Sequence, residues 1–140
     1  MTARFAWILL VFFVAGCGEK KNLPTGPDGS PPDPNATFTR VLGEVFVPSC
    51  ARSGCHAGQA PQAGLNLEPA GAYANVVNRP STQRPELLRV APFDPESSYL
   101  VKKIRGDPDI VGSPMPAEGS ISAEARQLVV DWVRRGAPRD

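Results

Sequence analysis

Three stretches of the chain carry apolar residues at spacings of three and four. In TFTRVLGEVFVPS, Phe38, Val41, Leu42, Val45 and Phe46 fall on one face of a helix, and Pro48 is expected to end it. In DPESSYLVKKIRG, Pro95 suits a first turn, Tyr99, Leu100 and Ile104 share one side, and Gly106 is a stop. The pattern is clearest in SAEARQLVVDWVRRGAP. Ser122 is the expected N-cap, Ala125, Leu128, Val129, Trp132 and Val133 make the stripe, Arg134, Arg135 and Gly136 close it, and Pro138 follows. A shorter helical turn is expected in EPAGAYANVV. Alternation of apolar and polar residues never runs for more than a few positions, and no internal repeat stands out. The pattern therefore predicts an all-α domain of a few short helices. Sixteen prolines and thirteen glycines in 140 residues add long loops to that picture.

A different apolar pattern opens the chain. Phe5 to Ala15 is an unbroken run of eleven residues behind Arg4. It is short of the ~20 residues that span a bilayer and fits the apolar centre of a secretory signal. VAGC follows, Val14 to Cys17, and small residues before a cysteine resemble the lipobox of bacterial lipoproteins. The resemblance implies a signal peptide over residues 1–16, cleavage before Cys17 and a diacyl anchor on Cys17. Gly18 stands where an aspartate commonly retains such proteins at the inner membrane, so the implied home is the periplasm, with the outer membrane favoured over the inner. Residues 17–36 then hold the lipidated cysteine and a Pro/Gly-rich linker, and residues 37–140 hold the domain. A domain of about 100 residues has a marginal core and often leans on a disulfide, metal or cofactor.

Charge narrows the partners. The formal net charge is +1, with no basic excess to suggest nucleic acid. Removing Arg4 with the signal leaves acidic and basic side chains balanced, so attachment to a membrane falls to acyl chains and not to charge.

Chemistry is concentrated in PSCARSGCHAG, where Cys50, Cys55 and the chain's single histidine, His56, lie together. Two cysteines followed at once by histidine form the c-type haem attachment pattern, here with four residues between the cysteines where two are usual. Two thiols can add to the two vinyl groups of a haem while the adjacent imidazole reaches the iron, and Gly54 eases the longer loop. An exported protein can equally pair Cys50 with Cys55 in a disulfide and leave His56 on the surface. Zinc wants a fourth ligand for a closed site, and an iron–sulfur cluster wants more cysteines. No Ser–His–Asp set or phosphate-binding glycine loop is present. Met115, the single methionine once the signal is removed, sits between Pro114 and Pro116 in a loop that the two rings stiffen. A thioether in such a loop suits a second axial ligand.

From Val41 to Pro138 the chain resembles small class I cytochrome c domains of the kind carried on bacterial lipoproteins and larger secreted proteins. The matching residues are Gly64, Leu65 and Leu67 after the cysteine–histidine motif; Ser98, Tyr99, Leu100, Lys103 and Gly106; Met115 and Pro116; and Trp132, Gly136 and Ala137. The spacing Cys-x4-Cys-His is the departure. The resemblance implies a cytochrome c-like fold around one covalent haem c. Cys50 and Cys55 would form the thioethers, with His56 the proximal and Met115 the distal ligand. It implies electron transfer with redox partner proteins, and no enzyme activity. It also implies a close contact between the first and last helices, for which Gly43 and Trp132 are the candidates. Trp132 and Tyr99 are expected as core aromatics. Tyr99 or Arg89 could meet a haem propionate, and Lys102, Lys103 and Arg105 could steer an acidic partner. Two alternatives stay open: a haem-free, disulfide-stapled lipoprotein acting as a binding or scaffold module, and a haem-based sensor with a dissociable Met115.

Overall fold

The fold is that of a computed structural model in which residues 25–26 and 28–140 are described. The expected signal peptide 1–16, Cys17 and the first part of the 17–36 linker lie outside the described residues. The domain is all-α, and among the described residues β-pairing occurs only as isolated bridges.

The first helix begins as α1, Phe38–Arg40, capped by the Thr37 side chain, which accepts from the Arg40 N–H at 3.2 Å. It continues directly as a π-helical segment, Val41–Cys50. Pro48 does not end it. In α geometry a proline ring clashes with the carbonyl four residues back. Here the chain runs past Pro48 in the wider register, and the Ala51 N–H donates to the Phe46 carbonyl, five residues back, at 2.7 Å. Val41, Val45 and Phe46 are buried and Cys50 half-buried, so spacings of four and five carry the apolar face to the first cysteine.

A single 3-10 turn, Gln62–Gly64, and the short helix α2, Ala72–Val76, follow. Residues 76–91 then fold back on themselves: the Val90 N–H donates to the Val76 carbonyl and the Arg89 N–H to the Arg79 carbonyl. Helix α3, Tyr99–Arg105, starts four residues beyond Pro95. Pro95 lies in the preceding turn, its carbonyl accepting from the Ser98 N–H, and Ser98 is the N-cap residue. Gly106 ends α3 in the left-handed region, φ 78°, as its sequence position predicted. Helix α4, Ala123–Arg134, has the expected N-cap: the Ser122 hydroxyl accepts from the Ala125 N–H at 3.1 Å.

Helix α4 packs against both the π-helical segment and α3. Trp132, Val133 and Val129 are fully buried on it. The expected contact between Gly43 and Trp132 is not formed. Gly43 is exposed with no atom near the place of a Cβ, because the wider register turns it outward. Trp132 packs instead on Phe38, ring centroids 5.6 Å apart, and on Tyr73 at 6.5 Å, while Phe38 and Tyr73 meet edge to face at 5.1 Å.

The end of the linker is part of this packing. Pro32 and Ala36 are buried. The Ser30 carbonyl accepts from Arg134 Nη2 at 2.7 Å and the Ala36 carbonyl from Arg135 Nη1 at 2.6 Å. Arg134 also pairs with Asp131 at 2.9 Å, both side chains nearly buried.

Candidate functional site

A cavity of about 430 Å³ opens between the π-helical segment, α3, α4 and the two long loops. This is within the ~300–1,000 Å³ usual for ligand sites. Val45 and Phe46 wall it on one side, Leu100 and Ile104 on another, and Val129 of α4 lies behind. The lining is mostly apolar because each of these helices turns its core face toward this space.

Cys50, Cys55, His56 and Met115 all line this one cavity. Cys50 is delivered by the last residue of the π-helical segment. The Cys55 N–H donates to Arg52 O and the His56 N–H to Cys50 O, so the residues between the cysteines curl into a compact turn, with Gly54 at φ 79°. Both cysteines are free thiols. Cys50 is half-buried, and burial, with Cys55 beside it, pushes its thiol up to about 11. At neutral pH it is a protonated, weakly nucleophilic thiol. Cys55 is exposed.

His56 is held from both ends. Its Nδ1 lies 3.2 Å from the Leu65 carbonyl, which can only accept, so Nδ1 carries the proton and Nε2 keeps its lone pair. Its own carbonyl accepts from the Leu67 N–H at 2.8 Å. Burial lowers the pKa of the imidazole, the Leu65 and Gln62 carbonyls oppose the shift, and the positive charges of Arg89 and Lys103 add to it. The net effect is a neutral ring with one defined donor nitrogen.

Met115 enters from the loop after α3. Its N–H donates to the Lys103 carbonyl at 2.8 Å. The loop is also held at Val111, whose N–H donates to the Tyr99 hydroxyl at 2.9 Å. That hydroxyl donates in turn to Gln83 Oε1 at 3.2 Å.

The basic residues of α3 are not a free positive face. Lys103 is buried, 7% exposed, and donates to the Val111 and Ser113 carbonyls. Lys102 pairs with Asp109 at 3.0 Å, and Arg105 pairs with Glu96 and Asp107, each at 2.7 Å. Steering by these three is therefore not supported. Tyr99 is buried as expected, and both Tyr99 and Arg89 line the cavity. Arg89 gives its guanidinium to the carbonyls of Asn75, Ala63 and Gly64, which ties the 76–91 excursion to the 3-10 turn.

One participant escapes the sequence reading, and a second, Lys103, enters it only as a matching residue and a steering charge. Gln83 sits in a polar loop and carries no pattern signal. Lys103 does carry one: with Tyr99, Leu100 and Ile104 it completes a single helical face, and a lysine on an apolar face must either reach water or find fixed acceptors.

Among the described residues no three His, Cys, Asp or Glu side chains converge as ligands for a bare metal ion. Comparison of the chain with protein families, curated proteins and solved structures finds no match to any of them.

Proposed function

We propose that this chain is an electron carrier, a monohaem c-type cytochrome domain on a lipid-anchored exported protein. The observation that carries the reading is the convergence of Cys50, Cys55, His56 and Met115, from two segments far apart in sequence, on the walls of one apolar cavity. The donor chemistry fits a haem. Cys50 and Cys55 would hold it by adding S–H across its two vinyl groups, a reaction that releases nothing. His56 offers a neutral imidazole whose lone pair is on Nε2, and Met115 offers a thioether. Bound there, a haem supplies a one-electron iron couple. The chain's own part is to position and to exclude water. Leu65 fixes the imidazole tautomer, Val45, Phe46, Leu100 and Val129 keep the cavity apolar, and the loop after α3 presents Met115. His56 and Met115 would both hold the iron, so electron transfer would need no substrate at the metal.

The class I cytochrome resemblance, the expected anchor on Cys17 and residence in the periplasm, outer membrane favoured, belong to the same proposal. They rest on the sequence motifs.

The test is a denaturing gel of the mature protein, made with a haem-attachment system and stained for haem peroxidase activity. A stained band at the protein's mass, lost in the double variant Cys50→Ser/Cys55→Ser, is the expected result. An unstained band from folded protein whose Cys50 and Cys55 resist alkylation makes the disulfide module the account. If the band stains but the reduced form binds carbon monoxide, the dissociable-methionine sensor replaces the carrier.

A further inference from the structure

Lys103 is a buried cation with no ion pair among the described residues, and both acceptors of its ammonium belong to one loop. Its Nζ donates to the Val111 carbonyl at 2.9 Å and to the Ser113 carbonyl at 2.5 Å. Its backbone carbonyl accepts from the Met115 N–H at 2.8 Å. One turn earlier on α3, the Tyr99 hydroxyl takes the Val111 N–H. Four hydrogen bonds from two side chains and one backbone carbonyl therefore fix residues 111, 113 and 115 against α3. Burying an ammonium is costly, and carbonyls offset that cost only where their geometry is fixed.

We propose that Lys103, with Tyr99, is a positioning residue that clamps this loop so that Met115 keeps facing the cavity. The clamp is independent of any cofactor, and its consequence for electron transfer rests on the reading of Met115 as an axial ligand. Loss of Lys103 would also remove a positive charge from the cavity lining and would shift the potential of a haem bound there for that reason alone. A potential change therefore does not by itself report positioning.

The experiment uses the full mature chain and its Lys103→Met, Lys103→Arg and Arg40→Met variants. Backbone amide hydrogen exchange is read at Val111 and Met115, together with the signature of sulfur ligation, the displaced Met115 methyl resonance. Lys103→Met keeps the apolar stem and loses the donors, so exchange at both amides should rise about tenfold or more, with the methyl signature weakened. Lys103→Arg should restore part of the protection, and Arg40→Met, which removes exposed ion pairs to Asp33 and Glu44 outside this loop, should change neither. Should Lys103→Met fail to fold, Tyr99→Phe reads the other half: exchange at Val111 rises while that at Leu100, bonded to the Arg89 carbonyl, does not. Unchanged protection at Val111 and Met115 in Lys103→Met, or at Val111 in Tyr99→Phe, overturns the clamp. Absence of haem from the wild-type chain overturns the electron-carrier reading instead, and the exchange data still decide the clamp.

Discussion

His56 is the residue whose surroundings do most to define the site. Burial, and to a lesser degree Arg89 and Lys103, lower its pKa below the ordinary 6.5, so the folded protein resists charging it. In a chain without bound cofactor the sign follows directly. Above pH 6.5 the ring is neutral whether folded or not, and it costs nothing. Below that, the unfolded chain binds a proton that the folded one refuses, so stability falls as pH drops through this range. Denaturant titrations at stepped pH should show a lower midpoint below pH 6.5, and a His56→Gln variant should lose that portion of the slope. An undiminished slope in the variant would assign the acid sensitivity elsewhere. Burial acts on Cys50 in the same sense, favouring the neutral form: its thiol stays protonated, and it is half-buried where Cys55 is exposed.

Among the elements, α3 does the most with seven residues. Its Tyr99 and Lys103 hold the methionine loop, and its C-terminal glycine touches that loop as well. A Cβ on Gly106 would lie 3.3 Å from Pro114 Cγ, on a backbone already at φ 78°. Gly106→Ala should therefore cost more than about 1 kcal/mol in chemical denaturation, from left-handed backbone and contact pressure together. A midpoint equal to wild type would show that the loop yields freely. Gly106 and Ser122 were legible in the sequence because helix caps are local: one residue's conformational range or one hydroxyl decides them. The start of α3 and the fate of Pro48 were not. Pro95 carries a valid first-turn signal, yet the Ser98 turn takes it over. Pro48 carries a valid stop signal, yet burial of Val45, Phe46 and half of Cys50 outweighs the lost N–H by drawing the chain into a wider register. The site followed the same division. Cys50, Cys55 and His56 announce themselves by adjacency and Met115 by its prolines. Gln83 depends on a fold-back that no local pattern encodes.

At the scale of the molecule, stability and chemistry occupy different parts of the core. Trp132, Phe38 and Tyr73 make the aromatic part, where the Trp132 indole N–H donates to the Pro138 carbonyl at 2.9 Å and the Tyr73 hydroxyl to the Ala137 carbonyl at 2.9 Å. The other part is the cavity, where packing is incomplete. Trp132→Ala should cost about 3–5 kcal/mol, a large share of the ~5–15 kcal/mol a small domain holds. Urea unfolding measures it, and a loss below 1 kcal/mol would mean that the aromatic cluster is not the keystone described. The end of the chain is stitched to the start of the first helix: the Phe38 N–H donates to Asp140 Oδ1 at 2.9 Å, and the Thr39 N–H and hydroxyl donate to the Asp140 carbonyl at 2.9 and 2.8 Å. Cys50 stands at the opposite end of that helix. For anyone building fusions, a chain continued past Asp140 would leave the domain beside Phe38 and Thr39, at the end of the first helix away from Cys50. The same closeness of the two ends suits the domain to insertion as a cassette into a host protein's surface loop.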